Sequence, residues 1–254
     1  MRYSGDTSPL SGYAIDNYWK SIRSFFVYAE KSLGLRKRPD RNLGRPKFSK
    51  PVVKPFSRDE VTRMIKDCEW VTAQYEGRTI RRRRPRGIFD KALILMFLET
   101  GMRLGEVARL KIKDVNLKTG EVAIENYSTG IKARSRFVYL GNTGKHAVWV
   151  YLAKRAETEK NYENDPDDPL FSKDATLLRD RIEAIGKRCG IVKPTPHRFR
   201  YTFAIEFLRG GGDVYVLRLL LGHSTLTMVS RYLEIAKQDL EDAVKHSIAD
   251  RWKL

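Results

Sequence analysis

A helix, a glycine turn and a second helix are indicated by residues 100–110, whose sequence is Thr100-Gly101-Met102-Arg103-Leu104-Gly105-Glu106-Val107-Ala108-Arg109-Leu110. Gly101 can adopt the left-handed conformation that ends a helix, and Arg103 is then presented at the start of the next helix. A helix–turn–helix DNA-binding element has a similar pattern, so this segment alone leaves the role of Arg103 open.

A phosphate-binding arrangement is indicated by a second segment, Thr195-Pro196-His197-Arg198-Phe199-Arg200-Tyr201. Pro196 suits the first turn of a helix, and His197 and Arg200 are three residues apart, so they share a face at the positive end of that helix. The alternative is that His197 caps the helix and Arg200 forms a surface ion pair.

A third segment, Leu220-Leu221-Gly222-His223-Ser224-Thr225, is followed by Tyr232, nine residues after His223. Apolar residues recur at helical spacing beyond Ser224 and predict a helix with Tyr232 close to its apolar face. By default such a tyrosine packs in a core or interface with its hydroxyl group satisfied.

The composition favours a nucleic-acid partner. The chain has 49 Lys plus Arg against 31 Asp plus Glu, a formal net charge of +18 spread along its 254 residues, which favours DNA or RNA over a membrane surface. Two cysteines exclude a disulfide framework and a cysteine-based zinc site. No apolar run approaches the length of a membrane span and no signal peptide is evident, so we expect a cytoplasmic, nucleoid-associated protein without cofactor or metal.

The first part of the chain is predicted to be one helix at residues 11–35 and a basic, proline-punctuated linker at residues 36–55. The linker carries Lys47 and Lys50 and is either a tether along DNA or a solvated connection. A capping box at Ser57 then starts a second domain with a helix at residues 60–68.

The second domain is predicted to be mostly helical with one small antiparallel sheet, which makes the fold α+β. The arginine-rich run at residues 78–86 is expected to be an exposed loop near DNA, with candidate contacts from Arg81, Arg82, Arg83 and Arg84. Helices are predicted at residues 88–99 and 104–110, and strands at residues 122–127 and 136–140 around a turn containing Gly130. From Thr143 onward the sequence is predicted to be helical almost throughout, with breaks at residues 164–169, 193–196 and 210–212 and at Gly222.

Together the three segments resemble the tyrosine recombinases, which include phage integrases and Xer-type recombinases. That family has an arginine after Thr-Gly, a lysine in a β-hairpin, a His-x-x-Arg, a Leu-Gly-His and a tyrosine nine residues beyond. The resemblance runs in order from residue 56 to residue 235, and two of the four histidines fall on it.

The resemblance implies that residues 55–254 form the catalytic domain and that residues 1–54 form a partial, helical core-binding segment plus linker. Family members usually carry roughly a hundred residues there, a size typical of small domains. The segment is therefore either reduced or truncated. The C-terminal helix expected at residues 234–252 either docks on a neighbouring protomer, giving a dimer to tetramer on DNA, or packs within its own chain.

The resemblance makes Tyr232 the nucleophile that forms a 3′-phosphotyrosine bond, without ATP or metal. Arg103 and Arg200 would bind the non-bridging phosphate oxygens, where negative charge develops during attack. His197 would transfer a proton and His223 would donate a hydrogen bond to the phosphate. A phenol with a pKa of about 10 needs such help to attack.

Two further roles follow from the family pattern. Glu106 would support the arginine network, although a helix-surface glutamate is the alternative. The family's lysine, which protonates the leaving 5′-oxygen, falls by spacing on Ile131 or Gly130, so Lys132 is the nearest candidate. Arg134 is a poorer general acid, because an arginine does not readily release a proton.

Two other functions compete with a recombinase. A type IB topoisomerase uses the same residue types, but the spacing from Leu-Gly-His to Tyr232 favours the recombinase. A non-catalytic DNA-binding regulator is the other alternative, although mere binding needs no nucleophile.

Overall fold

The computed structural model describes residues 10–47, 54–125, 135–158, 164–223, 225–226, 229–230 and 232–233. The chain divides into two compact units, Met1–Val53 and Lys54–Leu254. In the described ranges, no helix is both long and apolar enough to cross a membrane.

The first unit contains helix α1, Gly12–Ser32, which starts where the Ser11 side chain accepts a hydrogen bond from the Ala14 amide at 3.2 Å. A short 3₁₀ helix, Pro39–Asn42, follows it. The predicted linker begins in this unit, where Arg45 pairs with the buried Asp16 of α1 at 2.8 Å and Arg41 pairs with Glu30. These ion pairs fold the segment back onto α1.

The second unit is mostly helical, as predicted. Its helices are α2 Arg58–Glu69, α3 Gly87–Thr100, α4 Leu104–Arg109, α5 Asn142–Thr158, α6 Ala175–Arg188, α7 Pro196–Arg209 and α8 Val214–Leu221. A capping box between Ser57 and Glu60 starts α2, as its sequence indicated. The predicted helix boundaries at α2, α3 and α4 are within about two residues of those observed, the usual uncertainty of a helix end.

Helix α3 lies at the centre of this unit and packs against α2, α5 and α7. Its residues Leu93, Ile94, Met96 and Phe97 are fully buried, as expected for a helix that is apolar on all sides. Near its C-terminal end, Glu99 accepts a hydrogen bond from the Gly141 amide at 2.8 Å, just before α5 begins. This contact attaches the end of α3 to the start of α5.

Two separate two-stranded antiparallel sheets occur in the described residues, where one was predicted. Strands β1, Trp70–Tyr75, and β2, Arg78–Arg83, form the first. Strands β3, Glu121–Ile124, and β4, Arg136–Tyr139, form the second, close to the two predicted strands. The predicted turn at Gly130 lies outside the described residues.

The expected loop at residues 78–86 is wrong, because most of this run forms β2. Glu76 and Gly77 have φ values of 48° and 73°, which is the pattern of a two-residue type I′ hairpin turn. The arginines of β2 are exposed, as predicted, but a strand ladder with β1 holds their backbone. Arg84, which follows β2, is only partly exposed.

Candidate active site

Arg103 is presented at the junction between α3 and α4. Gly101 ends α3 in the left-handed conformation, with φ of 60°, and a Cβ there would lie 2.4 Å from the Phe203 ring. Arg103 then precedes the first residue of α4, and its side chain is 45% exposed. Its guanidinium donates to Glu106 Oε1 at 3.1 Å, and its backbone amide donates to Glu106 Oε2 at 2.7 Å. Glu106 thus holds Arg103 at the protein surface.

Glu106 is shared with a second arginine, Arg136 at the start of β4. The Arg136 guanidinium donates to both carboxylate oxygens of Glu106, at 3.0 and 2.8 Å, and its Nε donates to the Leu220 carbonyl at 2.7 Å. Burial alone would raise the pKa of Glu106, but the hydrogen bonds and charge of Arg136 hold it below its usual value. No role had been predicted for Arg136 from the sequence.

Arg200, on α7, is only 3% exposed and does not form the surface ion pair considered from the sequence. It donates to the Gly101 carbonyl at 2.8 Å and to the Leu221 carbonyl at 2.6 Å, and it lies 2.9 Å from His223 Nε2. Burial, and secondly the positive charge of Arg103, lower the pKa of Arg200 to about 10. The side chain therefore stays charged at neutral pH and connects the ends of α3 and α8.

His223 follows Gly222, which ends α8 in the left-handed conformation. A guanidinium can only donate, so His223 Nε2 accepts from Arg200 and the ring proton is on Nδ1. Burial, and then the charge of Arg200, lower the pKa of His223 to about 4, which keeps the ring neutral. Its buried Nδ1 has no hydrogen-bond partner in the described part of the chain, so it is a donor to which an added acceptor could bind.

Tyr232 packs directly beside this group and is 6% exposed. Its ring centroid lies 6.2 Å from that of His223, with the planes 11° apart, and 5.0 Å from that of Tyr201 in an edge-on arrangement. The backbone is helical at Tyr232 and Leu233. A phenol, an imidazole and a guanidinium therefore follow one another in space.

His197 and Lys132 are the two remaining residues that were predicted to be catalytic. His197 is exposed in the first turn of α7, which Thr195 caps, and its spacing puts it one turn before Arg200. Lys132 lies outside the described residues, as does its alternative Arg134. The assignment of the general acid therefore stays a prediction from the sequence.

The predicted DNA-contacting residues have different environments. Arg81, Arg82 and Arg83 are exposed on β2, whereas Arg84 donates to the carboxylate of Asp67 at 2.8 Å. Lys47 is exposed in the first unit, and Lys50 lies outside the described residues. Arg81, Arg82 and Arg83 are therefore accessible to a polyanion, whereas Arg84 would first have to break its ion pair with Asp67.

Comparison with known proteins identifies the family. The model of the phage integrase family matches residues 47–239. Tyrosine recombinase XerD of Listeria innocua is 27% identical over 245 residues, covering 91% of this chain and 75% of that protein. Tyrosine recombinase XerA of Pyrococcus horikoshii is 24% identical over 242 residues, covering 92% of this chain and 75% of that protein.

Solved structures agree with this result. The crystal structure of XerA recombinase has a TM-score of 0.59 at 26% identity, and the match covers 90% of this chain and 74% of that one. XerH recombinase bound to its palindromic difH substrate has the same fold, with a TM-score of 0.65 at 22% identity, covering 96% of this chain and 69% of that one. Because the family match spans most of the sequence, this chain belongs to the phage integrase family of tyrosine recombinases.

Proposed function

We propose that this tyrosine recombinase cleaves and rejoins double-stranded DNA at specific sites, with Tyr232 as the nucleophile. The observation that carries the proposal is the series Tyr232, His223 and Arg200, in which the phenol ring stacks beside an imidazole bonded to a buried guanidinium. Arg103, which immediately precedes α4, adds a second positive charge that acts on Arg200. A phenol beside fixed cations is suited to attack on a phosphodiester.

The reaction transfers a DNA phosphoryl group from the 5′-oxygen to the hydroxyl oxygen of Tyr232. Tyr232 Oη forms a bond to phosphorus while the bond from phosphorus to the 5′-oxygen breaks, leaving a 3′-phosphotyrosine and a free 5′-hydroxyl. Attack of a 5′-hydroxyl on the phosphotyrosine reverses the exchange and rejoins the strand. The bond energy is retained in the ester, so rejoining requires no added energy source.

Arg103 and Arg200 form what we call the phosphate clamp. Within the described residues, three of the five N–H groups of Arg200 serve Gly101, Leu221 and His223, which leaves two for the non-bridging oxygens. His223 Nδ1, a buried donor, would bind a phosphate oxygen as well. Charge-assisted bonds of this kind strengthen as negative charge develops in the transition state.

Proton transfer completes the proposal. His197 accepts the proton of the Tyr232 hydroxyl, and Lys132 gives a proton to the leaving 5′-oxygen. Glu106 acts as a positioning residue, because it bonds Arg103 through both backbone and side chain and is itself held by Arg136. A carboxylate fully paired with two guanidiniums repels a nearby phosphate less than a free one would.

The site must open before DNA is cut. Tyr232 and Arg200 are 6% and 3% exposed, so a phosphate can contact them only after neighbouring residues shift. We therefore propose that DNA binding rearranges the segment that carries Tyr232. This separates DNA binding from cleavage in time.

The partners in this proposal are double-stranded DNA and further copies of the chain. The net charge of +18 supports DNA binding, with contacts from Lys47, Lys50 and the arginines of residues 81–84. Assembly into a dimer to tetramer would use the C-terminal segment at residues 234–252, which lies outside the described residues. A DNA substrate would place the enzyme with the nucleoid in the cytoplasm.

The test is covalent trapping on nicked suicide duplexes that carry candidate sites from the flanking genome. The unmodified chain should form a protein–DNA adduct that survives a denaturing gel. Tyr232→Phe should form none while still binding the same duplex, because only the attacking oxygen is lost. Equal adduct formation by Tyr232→Phe would remove Tyr232 from the role of nucleophile.

A further inference from the structure

The hairpin formed by β1 and β2 carries an inference beyond cleavage. We infer that this hairpin enters the major groove of the DNA and that one of its two faces contacts base edges. The inference rests on the proposed function, because it requires DNA as the substrate. It adds residues that determine which DNA sequence is bound.

The strand register separates the hairpin into two faces. Residues paired directly across an antiparallel sheet point to the same side, and the observed pairs are Trp70 with Arg83, Thr72 with Arg81 and Gln74 with Thr79. These six side chains form what we call the polar face. The opposite face carries Val71, Tyr75, Arg78, Ile80 and Arg82. The hydrogen-bonding side chains Thr72, Gln74 and Thr79 are thus gathered on one side.

Contacts within the polar face hold its side chains in place. The guanidinium carbon of Arg81 lies 4.8 Å from the centroid of Trp70, and that of Arg83 lies 5.4 Å from it. Gln74 Nε2 donates to Thr79 Oγ1 at 2.9 Å. A guanidinium stacked on an indole still directs its N–H groups outward in its own plane, so less side-chain freedom is lost when it binds a base. Arginine pairs with guanine and glutamine with adenine in the major groove.

The shape of the hairpin fits that groove. Every residue of β2 is exposed, and the strands of six residues are each about 20 Å long. The major groove is about 12 Å wide and accepts a two-stranded ribbon. A hairpin exposed on both faces is marginally stable in water. Five arginines between residues 78 and 84 also repel one another until a polyanion binds.

A cleft at the base of the hairpin indicates which face meets the DNA. Trp70 and Arg83, at the base of the polar face, line a cleft of about 1100 Å³ between the hairpin, the start of α3 and α5. Six basic residues line this cleft, and Glu69 is the acidic residue among its described lining; the basic ones are Arg83, Arg84, Arg86, Lys91, Lys154 and Arg155. Four of the six basic residues are paired with carboxylates, so the cleft is not assigned a net charge. Trp70 and Arg83 belong to the polar face, so this is the face that turns towards the cleft.

The hairpin and the phosphate clamp are separate contacts. Helix α3 begins at Gly87, next to the hairpin, and ends beside Gly101 at the clamp. Its 14 residues span about 21 Å. The bases contacted by the hairpin would therefore lie outside the base pairs next to the cleaved phosphate.

Two adjacent arginines provide a matched test. Arg81 and Arg82 are neighbours on β2, carry the same charge and point to opposite faces. The complete chain would be used to select tight-binding duplexes from a random-sequence pool, and the selection repeated with Arg81→Ala, Gln74→Ala and Arg82→Ala. Arg81→Ala and Gln74→Ala should each lose the preference at one or two base pairs, with binding of the original site weakened about tenfold. Arg82→Ala should keep every base preference and weaken binding to all duplexes alike.

A modified base tests the groove itself. Replacing guanine by 7-deazaguanine removes an acceptor from the major groove and leaves the minor groove unchanged. At the position whose preference depends on Arg81, this change should weaken binding of the unmodified chain about tenfold and leave Arg81→Ala unaffected.

Unchanged base preferences in Arg81→Ala, loss of the same preference in Arg82→Ala, or no effect of 7-deazaguanine would each overturn the inference. Folding is checked by thermal melting, since both arginines are exposed. The covalent adduct of the unmodified chain tests the proposed function separately. An adduct with unchanged base preferences rejects the hairpin inference alone. Absence of the adduct, with sequence-selective binding that Arg81→Ala loses, rejects cleavage and leaves the hairpin inference in place.

Discussion

Arginines occur in two regions of this molecule under opposite conditions. At the candidate active site, Arg200 is buried and Arg136 is largely buried, and they are bonded to backbone carbonyls or to a carboxylate. On the hairpin, Arg81 and Arg83 are exposed, and the contacts that orient them are with the face of Trp70. The same side chain is held rigidly in one region and left accessible in the other.

The difference fits the roles proposed for the two regions. Stabilising a transition state, as proposed for Arg200, requires charges within a fraction of an ångström of fixed positions, and backbone acceptors at Gly101 and Leu221 hold its guanidinium in place. Binding DNA requires charges that can reach phosphates or bases, which exposure provides. The buried arginines should therefore affect rate and stability, and the exposed ones affinity and sequence preference.

The largest expected effect concerns the phosphate clamp. Arg103→Ala and Arg200→Ala should each slow covalent adduct formation by on the order of a hundredfold or more, because a donor to the developing charge is lost. Arg200→Ala should also lower the free energy of unfolding by about 3 kcal/mol, since buried acceptors lose their donor. Arg103→Ala, half exposed, should cost about 1 kcal/mol or less.

Adduct rates on a nicked duplex and urea unfolding measure the two effects. A variant that cuts at the normal rate would show that its arginine does not bind the phosphate. Equal losses of stability in the two variants would contradict the contrast in burial.

The variant Lys132→Ala tests whether Lys132 protonates the leaving 5′-oxygen. Lys132→Ala should cut ordinary DNA about a hundredfold more slowly, a typical contribution of a general acid. A 5′-bridging phosphorothiolate has a leaving group that needs no proton, so this substrate should restore cleavage by Lys132→Ala. It should not restore Arg200→Ala to a like degree, because the charge on the non-bridging oxygens still needs a partner.

The control for this experiment is Arg134→Ala, measured on both substrates. Rescue of Arg134→Ala in place of Lys132→Ala, or of neither variant, would exclude Lys132 as the general acid.

The variant Arg136→Ala tests how much the ion pair between Arg136 and Glu106 contributes to the free energy of unfolding. Arg136→Ala leaves the carboxylate of Glu106 with fewer partners, and breaking a buried pair in this way costs about 3 kcal/mol or more of unfolding free energy. The double variant Arg136→Ala with Glu106→Ala should be less destabilised than the sum of the two single variants. Urea unfolding of all four proteins measures the coupling, and simple additivity would show that the two side chains act independently.

The smallest expected effect is on the hairpin. Arg82→Ala should reduce the salt dependence of DNA binding by about one counterion and change the free energy of unfolding by no more than about 0.5 kcal/mol. Binding isotherms at several salt concentrations measure the slope. A loss of stability comparable to that of Arg136→Ala would contradict the distinction between the two regions.

Local signals in the sequence were sufficient for most of the helices. The capping box at Ser57 located the start of α2, and Gly101 and Gly222 marked the ends of α3 and α8. These features depend on neighbours within one helical turn. The residues that carry the family resemblance also follow local spacing, which is why Arg103, Arg200, His223 and Tyr232 could be predicted as site residues, and their catalytic roles stay a prediction.

Contacts between distant parts of the chain were not predictable in this way. Arg200 is bonded to the Gly101 carbonyl, 99 residues away, and no pattern in the sequence specifies a backbone acceptor at that distance. The role of Arg136 depends on Leu220 and Glu106, which the fold brings to it. Residues 78–86 were predicted to be a loop because they are rich in arginine, and their pairing with residues 70–75 was missed. The Glu76-Gly77 turn between two segments of equal length was the missed signal.

The exposed ribbon also affects how the chain withstands proteases. Enzymes that cleave after arginine find several such bonds in β2, whose backbone is paired with β1. Opening this ladder leaves the core around Met64 and Phe97 intact, so cleavage would follow local opening and not global unfolding. Because α2 and α3 pack in that same core, a chain cut in the hairpin would stay folded with both fragments associated. Nicking at this point would thus break the connection between the two strands of the hairpin and leave the candidate active site intact.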